Sequence, residues 1–323
     1  MIRFILGRLV KAVFILLAIL VFNFLLIHAA PGDPAAVMAG EAGAADEKFL
    51  IDLRARFGLD QPLHVQLWIF LKGAVQLDLG FSYRQQMPVA ELIADRLPAT
   101  LLLTGVAFVL SLVLGVIAGV AASARQGSWG DTIISTVALL FYATPLFWVA
   151  LMASLVFSVW LGWLPGFGYQ TIGAGYTGLA HALDVAKHLV LPASTLGLFF
   201  MAIYMRMTRA SMLEVSRLDF VKTARAKGLK RSVIQRRHIL RNALLPVITL
   251  AGLQAGQIFG GAILTETVFA WPGIGRLMFE AISQRDYAVI LGVFYISGAM
   301  VLLFNLITDV IYVVIDPRIR LTA

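Results

Sequence analysis

Six runs of this chain, at 9–29, 99–122, 132–160, 188–207, 245–268 and 288–315, are apolar and nearly free of charge. Roughly 20 such residues are what an α-helix needs to cross a bilayer, and within the hydrocarbon only structures that satisfy their own backbone survive. The runs therefore predict an all-α polytopic membrane protein with six transmembrane helices. Composition agrees: 60% of residues are apolar, 14% are charged and the mean hydropathy is +0.87. A soluble domain of this size does not need so much apolar surface.

Charge sets the expected orientation. With the N-terminus inside, 17 Lys and Arg fall on the inner side and 9 on the outer, six of these in one long first loop whose charge weighs little. Both termini are expected in the cytoplasm, N-in and C-in. The net charge of +8 is gathered in loops beside apolar runs, so topology accounts for it and no nucleic-acid partner is expected. The first run follows Arg3, Arg8 and Lys11 as a signal peptide would, but it is too long and lacks a clear cleavage pattern, so it is expected to remain as an anchor. The expected organisation is an inner segment and first span at 1–30, a large outer loop with short helices at 31–98, and a five-helix core at 99–323 with an inner loop at 206–244.

That inner loop holds eleven of the 26 basic residues. Ser216 and Asp219 have the spacing of a capping box, opening a helix that Gly228 ends in a left-handed turn. Ser232 and Gln235 repeat the spacing, predicting a second helix to Leu245, with Pro246 opening the next span. A membrane protein that orders two helices on one loop presents that loop to a partner. In the outer loop, Phe49, Leu50, Leu53 and Phe57 fit one helix face, as do Leu63, Leu67, Phe70 and Leu71. Interfacial helices and a docking site for an outer partner both fit this pattern.

Small residues mark close helix approach: Ser111, Gly115 and Gly119 in the second run, and Gly252, Gly256 and Gly260 in the fifth. The fifth run also carries Gln254, Gln257, Thr265 and Glu266, a polarity that fits hydrogen bonding within a bundle or an aqueous path. Tyr142, Thr144 and Pro145 interrupt the third run, and Asn305 and Asp309 share a face of the sixth. Tyr142, Thr144, Gln254, Gln257, Thr265, Glu266 and Asn305 are the candidate path residues.

Absences narrow the chemistry. The chain has no cysteine, no phosphate-binding G-x-x-x-x-G-K-[ST], no H-E-x-x-H and no G-x-S-x-G. The histidines at 28, 64, 181, 188 and 238 have no metal-ligand spacing, and His238 is expected to be structural. No cofactor and no catalytic residue are expected on this chain. A gradient-driven carrier would show paired ionisable residues near the midplane, and an intramembrane enzyme a nucleophile with its base.

The segment DFVKTARAKGLKRSVIQRRHILRNALLP, from Asp219 to Pro246, resembles the signature loop of inner-membrane permeases of ABC importers, in the dipeptide, oligopeptide and nickel permease family. HAAPGDP from His28, LDLGFSYR from Leu77, RLPATL from Arg96, ETVFAWPGIGRL from Glu266, RDY from Arg285 and DPRIR from Asp316 extend the likeness across the chain. It is similar to the first, B-type permease of a pair, with the type I importer fold. The resemblance implies a translocation path for short peptides or peptide-like solutes, shared with a second homologous permease. It also implies an outer substrate-binding protein and two cytoplasmic ATPase subunits that hold the ATP and Mg. Nickel chelates, glutathione, opines and oligosaccharides are alternative cargo. Residues Asp219, Phe220, Val221, Lys222, Ala224, Arg225, Lys227 and Gly228 would form the coupling helix, with Val221, Ala224 and Gly228 as a small-residue contact face. The family pattern begins Glu-Ala-Ala where this chain has Lys222-Thr223-Ala224, and Asp219 offers an acidic group three residues earlier. The implied location is the bacterial inner membrane.

Overall fold

The structure is a computed structural model and describes residues 2–29, 51 and 60–315. Its first helix, α1, covers Ile2–Ala29 and α2 covers Leu63–Val75. A two-residue hairpin, β1 Phe81–Ser82 and β2 Met87–Pro88, then leads into α3, Val89–Ala124. α4 is Trp129–Ala143 and α5 is Leu146–Ser154, which widens into a π-helical end at Leu155–Trp160. α6 runs Gly178–Val215 and α7 covers Asp219–Ala226. One turn, α8 Arg231–Val233, widens into a π-helical stretch, Ile234–Leu240, and continues as α9, Arg241–Ala255. α10 Gln257–Val268, α11 Ile274–Gln284 and α12 Tyr287–Ile315 complete the described chain.

Four helices are long and apolar enough to cross a membrane, within Leu6–Leu26, Val89–Ala124, Gly178–Val215 and Tyr287–Thr308. A fifth candidate is the pair α4 and α5, bent by 101° where Thr144 is extended and Pro145 cannot donate a helical hydrogen bond. The interruption expected at Tyr142–Pro145 is thus a sharp break. In the run at 245–268, α9 and α10 have 15 and 12 residues and meet at Gly256, so neither alone has the length of a span. Pro246 does not open this run, as the spacing predicts, but lies inside α9. Pro98 and Pro192 likewise lie inside α3 and α6, as membrane helices tolerate.

The chain divides into two compact units, residues 1–98 with 273–323, and residues 99–272. In the first, Val89, Leu277 and Val289 are fully enclosed in a cluster built by the start of α3, α11 and α12. Asp286 fastens this unit: it accepts from Ser82 Oγ at 2.5 Å and from the Val289 backbone N–H at 3.2 Å, capping α12. Arg285 before it is left-handed, with φ of 60°, and ends α11. α2 packs on α1, where Phe24 and Phe70 approach to 6.0 Å between ring centroids and His28 bonds Gln66 at 2.9 Å. The face of Leu63, Leu67, Phe70 and Leu71 is real helix; the face expected from Phe49 to Phe57 lies outside the described residues.

In the second unit, Leu103, Leu196, Tyr204, Val247 and Trp271 share the core. The small residues of α3 bring it against α6. A Cβ placed on Gly115 would lie 2.5 Å from Tyr204 Cβ, and one on Gly119 would lie 2.6 Å from Thr208 Cβ. Ser111, on the same stripe, is fully buried. The stripe read from sequence is therefore a contact line between two backbones.

Candidate functional site

The basic loop folds as one object in the second unit. α7 lies on a cluster formed by Met212 of α6, its own Val221 and Ala224, and Ile234, Ile239 and Ala243. Val221 is 0% and Ala224 5% exposed, so the helix turns its small residues inward. Of the contact face expected of Val221, Ala224 and Gly228, the first two are turned inward and Gly228 is exposed. Phe220, Lys222, Arg225 and Lys227 are exposed, as are Leu218 and Leu229 on either side of the helix, so apolar and cationic groups share its outward surface with Asp219. An eight-residue helix cannot hold itself in water, and burial of one edge supplies the missing stability.

Gly228 behaves as its place predicts, with φ of +71°. The leading cap does not. Ser216 closes α6, its Oγ donating back to Leu213 O at 2.8 Å, and Leu218 precedes α7 with no side-chain cap. Ser232 also fails to cap: α8 begins one residue earlier, at Arg231. The second loop helix does not stop at Leu245 but runs through α9. Asp219 pairs with Lys222 at 2.8 Å, both widely exposed, so the acidic group sits at the surface.

The candidate path residues separate into different environments. Tyr142 is half exposed and stacks on Phe199, with centroids 5.4 Å apart. Thr144 is half-buried and donates its hydroxyl to Leu140 O at 2.7 Å. Gln254 has a buried Oε1 with no hydrogen-bond partner among the described residues. Gln257 begins α10, and its side chain lies outside the described residues. Asn305 is exposed on α12, in the other unit.

Thr265 and Glu266 are both 0% exposed. That burial contradicts their expected place on a lining: Glu266 accepts from Thr100 Oγ1 at 2.7 Å, and its backbone carbonyl accepts from Trp271 N at 2.8 Å. Trp271 in turn donates from Nε1 to Ala99 O at 2.8 Å and meets the Tyr169 ring edge-on at 4.8 Å. The motif from Glu266 to Trp271 is a tie that locks the end of α10 to α3. A buried carboxylate must be met by donors, and its fixed partner explains why an acid stands in an apolar run.

Sequence reading missed one pair. Arg209 near the end of α6 donates to Asp131 at the start of α4. Asp131 also accepts from Gly127 N at 3.1 Å. Its signal was available only as an Asp three residues after Ser128, the cap of α4. Among the described residues no group of His, Cys, Asp and Glu could hold a metal ion.

Residues 111–321 match the family described as binding-protein-dependent transport system inner membrane component, and residues 1–104 match its N-terminal companion. The chain is 40% identical to the dipeptide transport system permease protein DppB of Alkalihalophilus pseudofirmus, over 99% of this chain and 100% of that one. It is 39% identical to the glutathione transport system permease protein GsiC of Escherichia coli, over 99% of both. In fold it is similar to a chain of the MetNI methionine ABC transporter in an inward-facing conformation, with a TM-score of 0.56, 18% identity, and coverage of 70% of this chain and 96% of that one. With full-length relatives, a family match over most of its residues and several apolar helices of spanning length, this chain belongs to the inner-membrane components of binding-protein-dependent transport systems, as a multi-pass permease.

Proposed function

We propose that the chain is the B-type permease of an ATP-driven importer and forms half of a path for short peptides or peptide-like solutes. It has six spans, with the run at 245–268 as the fifth, and both termini in the cytoplasm. A second homologous permease supplies the other half, an outer binding protein delivers cargo, and two cytoplasmic ATPases hold the ATP and Mg. α7 is the coupling helix, and Asp219 to Gly228 act as its contact segment. The observation that carries this reading is α7 itself: a short helix braced on Met212, Ile234 and Ile239 that leaves Phe220, Lys222, Arg225 and Lys227 exposed. The peptide cargo is supported by the names of full-length relatives at about 40% identity.

Tyr142, Thr144, Gln254, Gln257 and Asn305 remain the proposed path residues. The Gln254 oxygen, buried without a partner among the described residues, favours that role for its helix.

Purification of the tagged chain from its host in mild detergent, followed by mass spectrometry, tests the assembly: recovery of two ATPases and a second six-span permease is expected, and recovery of the chain alone overturns it. Coupling is tested by Gly228→Val. No atom crowds that position, so the cost is the left-handed backbone, about 1–2 kcal/mol, which Asn tolerates. ATP hydrolysis without uptake in Gly228→Val, with Gly228→Asn near normal, is the expected pattern; normal uptake in both sinks the coupling assignment.

A further inference from the structure

Beside α7, within the unit of residues 99–272, lies a cavity of about 480 Å³. Ala124 from the end of α3, Met212 from the end of α6 and Ile234 from the π-helical stretch line it, beside Ser123, Gln126 and Ser216. Arg225 of α7 and Arg231 of α8 also line it, with Gln235 beside them, and no acidic residue does. Both arginines are exposed, and neither guanidinium has a hydrogen bond or ion pair among the described residues.

Depth identifies the surroundings. Ala124 and Met212 stand near the ends of two helices long and apolar enough to span the membrane, so the cavity lies at one end of the spanning bundle, where basic pockets meet anionic headgroups. Apolar lining beside two guanidiniums that have no side-chain partner among the described residues complements a phosphate ester that carries an apolar tail. Arginine meets phosphate oxygens through a planar fork of donors, and the apolar lining accepts the glycerol and the first methylenes.

We infer that this cavity binds one anionic phospholipid, its phosphodiester held by Arg225 and Arg231 and its first acyl carbons lying on Met212 and Ile234. Because Arg225 belongs to α7, the bound lipid ties the loop helix to the membrane surface. The site needs neither ATP nor cargo, but it shares Arg225 with the proposed coupling helix, so lipid retention and ATPase co-purification are read separately.

The test is native mass spectrometry of the delipidated full-length chain titrated separately with phosphatidylglycerol, phosphatidylethanolamine and inorganic phosphate. One tightly retained phosphatidylglycerol is expected, with phosphatidylethanolamine about tenfold weaker and no retained phosphate. Arg231→Gln should weaken the retained lipid about tenfold, the scale of one charge-assisted contact. Ser216→Phe, which fills the cavity without touching either charge, should lower the retained count by one. Equal retention by wild type and both variants overturns the inference, as does phosphate binding as tightly as the lipid. Loss of ATPase co-purification in Arg231→Gln with lipid retention unchanged also overturns it, assigning the arginines to a protein partner.

Discussion

Arg209 donates from Nε and Nη2 to the two carboxylate oxygens of Asp131, each at 2.7 Å, joining α6 to α4 across 78 residues of sequence. The Asp131 side chain is 7% exposed and that of Arg209 32%, so the pair is shielded on one side and wet on the other. Bidentate geometry makes it stronger than a surface bridge, and the cost of breaking it falls mainly on the buried acid. It fixes the loop end of α6, from which α7 departs.

Arg209→Met should therefore destabilise the solubilised chain by about 1–3 kcal/mol, since it strands a buried carboxylate. Asp131→Asn in the same background should restore part of that loss by removing the charge. Thermal unfolding followed by size exclusion measures both, and equal midpoints for wild type and Arg209→Met would show that the pair contributes nothing.

Gly115→Ala should be among the most damaging one-carbon changes in the chain. The new Cβ would fall 2.5 Å from Tyr204 Cβ and 2.9 Å from Met201 O, and one of these is backbone that cannot swing aside. Overpacking of this kind costs about 1–3 kcal/mol. Gly105→Ala on the same helix meets nothing within 4 Å and should raise stability slightly through helix propensity. A lowered midpoint in the first and not in the second is the expected result of parallel thermal unfolding.

Much of this architecture was legible because membrane folding leaves few choices. Apolar length predicted the long helices, Thr144-Pro145 predicted a break that proves to be 101°, and the Ser111, Gly115, Gly119 stripe predicted a close contact. Local rules failed where tertiary contacts decided. Ser216 has the spacing of a cap, but α6 continues far enough to make it an end. Pro246 looks like a helix start, but the π-helical stretch ahead of it feeds directly into α9. Glu266 looked like a path residue because burial and exposure to water both recruit polar groups. Only its donor, Thr100, which is 166 residues away, distinguishes the two.

Thr100→Val tests that distinction. It keeps the shape and removes the hydroxyl that donates to a fully buried carboxylate, at a cost of about 1–3 kcal/mol. The loss should appear as a lower unfolding midpoint with substrate affinity unchanged in the surviving protein. A changed apparent affinity for cargo at an unchanged midpoint would return Glu266 to the path.

The two faces of α7 make opposite demands, and neighbouring residues separate them. Phe220 is 42% exposed while Val221 is 0% exposed, although they are adjacent in sequence. Phe220→Ala removes an apolar side chain that is 42% exposed, and so takes less from the interior than a change at Val221 does. It should leave the unfolding midpoint of the isolated chain within error, yet weaken capture of the ATPase about thirtyfold, as expected for a central aromatic worth about 2 kcal/mol. Val221→Ala removes packing from the cluster of Met212, Ile234 and Ile239, and should lower stability of the loop by about 1–2 kcal/mol. Protection of the α7 amides in hydrogen exchange reports that loss directly. Because a loosened α7 can still fold onto a partner, Val221→Ala should retain the ATPase better than Phe220→Ala does. The reverse order would mean that the inward face of α7 turns outward in the assembled importer, and that the helix docks by its small residues after all.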